Sequence, residues 1–341
     1  MPSVSLPGIL PTTLRRSRRY LGGLALAALT LAVAGCNPAE TTSHLGKVGT
    51  YGGNDALIPT TRAFAIVDMD TGYILEGKAL NEKVQVGSLT KIATALVVQN
   101  WLDSTRTSTA TQVPIPQSAF AFGGPNPLGL QPGDTMTIRD LLYAALMNSD
   151  NISAFALAEL VGAGSGGNPQ QGFVAQMNAL AQQLGMTNTM FTNAAGLDSI
   201  GGREPYSTAA DMARLTKAAI AKAGFRFAVS QVTRQVTITR GGQTFAYTLK
   251  NTNELLGHGN IDGVKTGLTR LAGGCVILSE EKSPKVWQEG STFYRINRRL
   301  IVVVLGSSNR FGDGQQLISY GWSLHDPWIA GNRPMDQGRS L

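Results

Sequence analysis

The chain is poor in the residues that most catalytic and metal sites use. Among 341 residues there are two cysteines and three histidines, aromatic side chains make up 7%, and charged side chains only 15%. His44, His258 and His325 are scattered and no thiols cluster, so no metal site and no cofactor are expected. A Ser-His-Asp hydrolase is disfavoured on the same count. His44 and His325 lie towards the ends, which leaves His258, and no Gly-x-Ser-x-Gly frames a serine. Long apolar runs are also missing, since Leu21 to Ala34 falls short of the ~20 residues that a membrane span needs. The formal charge of +7 is misleading, because Arg15, Arg16, Arg18 and Arg19 supply four of it at the N-terminus, leaving 7 − 4 = +3 beyond them. Nucleic-acid binding is therefore not implied.

What is present is a set of three short motifs in one order: Ser88-Leu-Thr-Lys91, Ser149-Asp-Asn151 and Lys265-Thr-Gly267. Each alone is weak, and Ser-x-x-Lys by itself more often marks a solvated helix face. Here Ser88 follows Gly87 and opens an apolar run, Ile92 to Val98, which predicts a buried helix with Ser88 in its first turn. A serine hydroxyl needs a base within reach near neutral pH, and a spacing of three puts Lys91 on the same helix face, one turn away. Lysine serves as a base only when burial or nearby positive charge lowers its pKa. The helix N-terminus would also favour developing negative charge at Ser88.

Together these motifs resemble those of penicillin-recognising serine D,D-peptidases, and beyond them the chain is similar to the low-molecular-mass D-alanyl-D-alanine carboxypeptidase family from about Arg62 to Trp322. Matching stretches include Val67 to Gly72, Gly87 to Ile92, Met177 to Met186, Asn193 to Asp198, Tyr206 to Met212 and Asp262 to Thr269. The resemblance implies an α+β fold: an antiparallel five-stranded sheet built from both chain ends and flanked by helices, with a mostly α-helical subdomain. It implies Ser88 as nucleophile, Lys91 as its base and Ser149 as the proton relay to the leaving group. Asn151 would hold Lys91 and the substrate amide, while Lys265 would supply charge that keeps Lys91 neutral. Lys265, Thr266 and Gly267 suit a terminal carboxylate. The oxyanion hole would be formed by the backbone N–H groups of Ser88 and Leu268, each such donor typically contributing about 3–4 kcal/mol. Relatives often carry a polar residue at the Leu268 position, so deacylation stays open. Read without the resemblance, Ser149-Asp-Asn151 is simply a helix-capping turn, and both readings can hold.

The ends carry targeting information. The four arginines and the apolar run read as an export signal, and Leu31-Ala-Val-Ala-Gly-Cys36 resembles a bacterial lipobox. Cleavage before Cys36 would leave a lipidated N-terminus on a 306-residue chain (341 − 35), anchored on the periplasmic side of the bacterial envelope. An ordinary signal peptide and a membrane span are the competing readings. With Cys36 modified no disulfide can form, and Cys275, in Gly274 to Leu278, reads as a small buried apolar residue. The expected organisation is a signal at 1–35, a lipidated N-terminus and flexible tether at 36–60, a catalytic domain at 61–325 and a tail at 326–341. Within the domain, sheet parts fall at about 61–87 and 226–310 and the helical part at 88–225. Family members often have a further C-terminal β-rich domain and an anchor helix, for which the stretch after Leu305 is too short.

The implied activity is penicillin-sensitive removal of the terminal D-alanine from peptidoglycan stem pentapeptides, with stem peptides and β-lactams as partners. A D,D-endopeptidase cutting cross-links would use the same residues. A class A β-lactamase is disfavoured because no Glu-x-x-Asn lies between Asn151 and Lys265, and Glu204 precedes Pro-Tyr-Ser. A catalytically silent wall-binding lipoprotein is disfavoured by the intact motifs.

Overall fold

The computed structural model describes residues 60–199 and 202–341. Strands β1 (Ala63–Asp68) and β2 (Ile74–Lys78) form the hairpin that the Asp70-Thr-Gly72 turn predicts. Asp68 Oδ1 accepts from the Thr71 amide (2.9 Å) and hydroxyl (2.7 Å), and Gly72 takes a left-handed φ of 80° that closes the turn.

The main sheet is antiparallel, in the order β2-β1-β9-β8-β7, where β7 is Ile261–Thr269, β8 Gly273–Glu289 and β9 Thr292–Ser307. Both chain ends therefore build it, as expected. The continuous apolar run at Leu300 to Leu305 serves two cores at once, because successive side chains point to opposite faces. Ile301, Val303 and Leu305 join Ala63, Ala65 and Val67 against the helical part, whereas Leu300, Val302 and Val304 join Phe64 and Ile66 beneath helix α7 (Arg310–Ala330). Burying each such aliphatic side chain contributes roughly 1.5–3 kcal/mol.

The helical part comprises α1 (Lys91–Thr105), α2 (Ile138–Met147), α3 (Asn151–Gly162), α4 (Pro169–Gln183), α5 (Ala209–Ile220) and α6 (Ala223–Ser230). Every residue of α1 from Lys91 to Val98 is buried, so its polarity pattern carries no amphipathic stripe.

Two features differ from the sequence expectation. The alternating segments near 235–249 do not enter the main sheet. They form β5 (Thr233–Arg240) and β6 (Gln243–Lys250) of a second sheet, completed by β3 (Gln112–Pro114) and β4 (Thr135–Thr137) in the order β3-β4-β5-β6. β3 and β4 span three residues each inside a Pro- and Gly-rich stretch, too short to show a period of two. Helix α7 also runs through residue 325, and the segment after it returns to β2: Ser340 bridges Tyr73, and Leu341 N donates to Gly72 O at 3.0 Å.

Candidate active site

Ser88 lies in a 3-10 turn, Gly87–Thr90, that leads directly into α1, so it precedes the regular helix instead of occupying its first turn. Gly87 takes φ 54°, a left-handed bend that most side chains resist. Lys91 is the first residue of α1, is fully buried, and makes three contacts through Nζ: Ser88 Oγ at 3.0 Å, Asn151 Oδ1 at 2.8 Å and the Ala195 carbonyl at 2.9 Å. Two of these partners can only accept. In the neutral amine both N–H groups go to Asn151 and Ala195, and the lone pair is left for the Ser88 hydroxyl proton. Burial lowers the Lys91 pKa to about 7, against the opposing pull of the Asp150 carboxyl.

Asn151 is delivered by the turn between α2 and α3. Asp150 is the N-cap of α3, accepting from Ser153 N at 2.7 Å, and Asn151 follows as the first helical residue. Capping and site-building thus coincide in one motif. Burial raises the Asp150 pKa, and its Oδ2 has no hydrogen-bond partner. Asn151 N donates to Pro125 O at 2.9 Å, and a Cβ on Gly124 would fall 2.1 Å from Asn151 Nδ2, so the Gly123-Gly-Pro125 loop abuts this side chain. Ser149 holds φ 59°, and the structure does not hydrogen-bond it to Ser88 or Lys91.

The third motif lies on β7, an edge strand of the main sheet. A Cβ at Gly267 would sit 2.7 Å from Val86 O, so glycine permits the strand to press on the Ser88 turn. The Leu268 amide nitrogen lies 3.4 Å from where a Cβ on Gly87 would stand, and the Leu268 side chain is 67% exposed. Thr266 Oγ1 meets Thr252 Oγ1 at 2.6 Å, and Thr252 in turn donates its amide to Met147 O at 2.9 Å, tying β7 to the end of α2. Lys265 is buried with Nζ on Thr266 O at 3.0 Å. Its pKa is held well below the ordinary lysine value, first by burial and then by Lys91 and Arg310. The depression of Lys91 is therefore set by burial of its own ammonium, not chiefly by charge on Lys265 as the sequence suggested.

Three contributors were not singled out from the sequence. Asn193 Oδ1 accepts from the amides of Ala195 (3.1 Å), Gly196 (2.7 Å) and Leu197 (3.0 Å), a cradle that turns the Ala195 carbonyl onto Lys91. Asp198 then accepts from the Thr269 hydroxyl and from Leu271 N, fastening this segment to the end of β7. Arg310 Nη1 donates to Gly267 O at 2.8 Å, which puts a guanidinium beside the third motif. The Asn193 to Asp198 stretch was visible as a family match, but nothing in its spacing pointed to Lys91. Arg310 had no signal beyond its place after the last strand. Cys275 is buried against Ala272 O, its thiol pushed up to about 11, which fits a packing role. Among the described residues no three His, Cys, Asp or Glu side chains gather as metal ligands would, and no helix is long and apolar enough to cross a membrane. Cys36 lies outside the described residues.

Ser88, the buried Lys91 and the edge strand bearing Lys265-Thr-Gly267 thus meet in one place. Residues 58–309 match the family of D-alanyl-D-alanine carboxypeptidases, peptidase family S11, and the chain belongs to that family. It is 33% identical to D-alanyl-D-alanine carboxypeptidase DacC of Escherichia coli over 275 residues, covering 78% of this chain and 62% of the relative. It is 31% identical to the D-alanyl-D-alanine carboxypeptidase of Streptomyces sp. strain K15, covering 83% and 96% respectively. The chain spans about three fifths of the E. coli DacC and Bacillus subtilis DacF relatives. The solved Streptomyces K15 DD-transpeptidase superposes with a TM-score of 0.67 at 28% identity, over 78% of this chain and 98% of that one. Ampicillin-bound penicillin-binding protein D2 of Listeria monocytogenes gives 0.62 at 26% identity, over 77% and 97%.

Proposed function

We propose that this chain is a penicillin-sensitive serine D,D-carboxypeptidase that removes the terminal D-alanine from peptidoglycan stem pentapeptides. The observation that carries this reading is the pair of obligate acceptors on Lys91, Asn151 Oδ1 and Ala195 O, which leave its lone pair for Ser88. In the proposed sequence Lys91 Nζ takes the Ser88 hydroxyl proton as Oγ attacks the carbonyl of the penultimate D-alanine. The oxyanion is held by the N–H groups of Ser88 and Leu268. As the peptide C–N bond breaks, that proton passes to the leaving amine by way of Ser149. Water then attacks the acyl-enzyme, gives a proton back through Lys91, and frees Ser88. Lys265, Thr266 and Arg310 would receive the terminal carboxylate, and Gly267 lets the substrate backbone approach. A β-lactam would acylate Ser88 by the same first step. Among the described residues no carboxylate hydrogen-bonds Ser88 or Lys91, and Glu204 is spent on Gln85, so slow deacylation of the β-lactam adduct is expected in place of β-lactamase turnover.

The envelope reading belongs to the same proposal: export by residues 1–35, acylation at Cys36, a tether to residue 60, and a catalytic domain from residue 61 that includes the whole of α7, so that the tail begins after Ala330 and not at 326. Cys36→Ser should release the protein from membranes or stall its processing. If that variant is cleaved normally and partitions unchanged, the lipid anchor is wrong.

The deciding experiment incubates the purified protein with a stem pentapeptide and, separately, with a cross-linked muropeptide dimer, reading products by mass spectrometry. Free D-alanine and a tetrapeptide are expected. Cleavage of the dimer alone would make the protein an endopeptidase. Fluorescent penicillin labelling that survives Ser88→Ala would overturn the nucleophile.

A further inference from the structure

Beyond Glu280 on β8 and Leu300 on β9, neither β7 nor β1 follows, and residues 281–299 continue as a two-stranded arm. Its root is pinned: the Arg299 guanidinium holds Asp262 Oδ2 and Ser279 Oγ, each at 2.7 Å, while Lys282 and Arg298 lie over the Trp322 ring. Its outer end carries Val286, Trp287, Phe293 and Tyr294, all exposed, Phe293 by 71% and Val286 by 60%. Trp287 faces Tyr294 across the strands, and their rings stack at 5.1 Å. Large apolar side chains so placed on a narrow arm cannot fold onto a core, and clusters of this kind mark contact surfaces.

The order of residues along the arm identifies the surface. Counting inward from the tip, the cross-strand pairs are Glu289–Thr292, Gln288–Phe293, Trp287–Tyr294, Val286–Arg295 and Lys285–Ile296, with Lys282–Arg298 further in. Aromatic side chains lead and two cations, Lys285 and Arg295, follow, while Lys282 and Arg298 further in are held against Trp322, with Arg298 also paired to Asp326. This is the sequence of groups that crosses from the acyl boundary to the phosphates of an anionic bilayer, where tryptophan and tyrosine rings settle and lysine and arginine meet lipid charge. Glu289 at the tip opposes deep entry, and it is occupied by the Trp287 indole N–H at 3.0 Å. The fit is to the interface and not to the hydrocarbon interior.

We infer that this arm docks on an anionic lipid surface, giving the catalytic fold a membrane contact of its own. The inference goes beyond the D,D-peptidase reading and does not require it. It is also geometrically compatible with acylation at Cys36. Thr292 and Leu305, which accepts from Arg62 N, are 13 residues apart on β9 (305 − 292), roughly 43 Å at 3.3 Å per residue. Cys36 and Thr60 are 24 residues apart (60 − 36), a contour of at most about 80 Å.

The test reads Trp287 directly. Full-length protein is mixed with vesicles of phosphatidylglycerol and phosphatidylcholine, in which the acyl chains are brominated near the headgroup, and tryptophan quenching is followed. Quenching is expected on anionic vesicles, lost in Trp287→Phe and reduced several-fold in Phe293→Ser. Replacing Lys285 and Arg295 by glutamine should weaken docking by roughly tenfold or more, the worth of two cations near an anionic leaflet. Penicillin labelling of every variant at the parent rate would show that each is folded. Equal quenching in parent and Trp287→Phe overturns the inference, as does none in either. A concentration-dependent Trp287 blue shift without lipid, and no bromine quenching, would assign the arm to self-association and also overturn it. Loss of penicillin reactivity with quenching retained would count against the peptidase reading alone.

Discussion

Gly196 packs directly on Gly87: a Cβ on Gly196 would stand 1.9 Å from the Gly87 carbonyl oxygen, and Gly196 itself takes φ 80°. Two loops about 110 residues apart in sequence thus touch through the absence of side chains, one bearing Ser88 and the other bearing the Ala195 carbonyl that fixes Lys91. Gly196→Ala should push these loops apart and lower the rate of β-lactam acylation by at least tenfold. Its thermal midpoint should fall only modestly, since the loops lie outside the main sheet. Wild-type acylation by Gly196→Ala would mean that the Lys91 geometry tolerates movement of this wall.

The pH dependence of acylation should follow Lys91. With the lysine near 7, the rate is expected to rise with pH through that region and level off above it, where the amine is free to accept the Ser88 proton. Asp150 raises the Lys91 value, so Asp150→Asn should move this limb to lower pH. Asparagine also caps helices well, which keeps α3 in place. An unmoved or upward-shifted limb, measured by stopped-flow acylation, would sink the assignment of Lys91 as base.

Lys265 and Arg310 should act on recognition more than on the base. Lys265→Ala is expected to slow acylation about 10- to 150-fold, the worth of a hydrogen bond to a charged group at ~1.5–3 kcal/mol, with the limb near 7 little changed because burial sets it. Lys265→Arg should retain part of the activity, since it keeps a donor for the carboxylate but changes its geometry. Arg310→Ala should raise the KM of a carboxylate-bearing peptide more than that of its amide. Equal effects on both peptides would remove Arg310 from carboxylate binding.

A buried pair far from this chemistry is expected to contribute to acid stability. Asp68 Oδ2 lies 3.0 Å from His325 Nε2, joining β1 to α7, and both side chains are almost wholly inaccessible. Burial acts to raise the Asp68 pKa, but the bonds from His325 and Thr71 outweigh it and the net shift is downward. A depressed carboxyl contributes stability that is present above its unfolded pKa near 3.9 and lost as pH falls through the folded value. Asp68→Asn should therefore destabilise the protein by about 1–3 kcal/mol at neutral pH and flatten the loss of stability below pH 4, read by chemical denaturation across pH. A variant as stable as the parent at pH 7 would refute this role.

Much of this was legible along the chain because the information was local. The Ile92 to Val98 run announces a helix buried all round, and Leu300 to Leu305 announces a strand covered on both faces. The Ser149-Asp-Asn151 turn reads as a helix cap, and Asp150 does accept the Ser153 amide at the start of α3. The second sheet escaped because β3 and β4 are shorter than any period can reveal, so only pairing with β5 makes them strands.

The sequence by itself determined the chemical vocabulary of the site: Ser88 one turn ahead of Lys91, Asn151 behind its capping turn, and Lys265-Thr-Gly267 on a strand. These rest on local spacing, which backbone geometry converts into direction. Tertiary structure alone decided how the lysine would behave. Its lowered pKa comes from burial, and its Nζ is held by Asn151 and the Ala195 carbonyl, 60 and 104 residues away. No local pattern encodes that pair of acceptors, because they meet Lys91 only when the α2–α3 turn and the Asn193 cradle close around it.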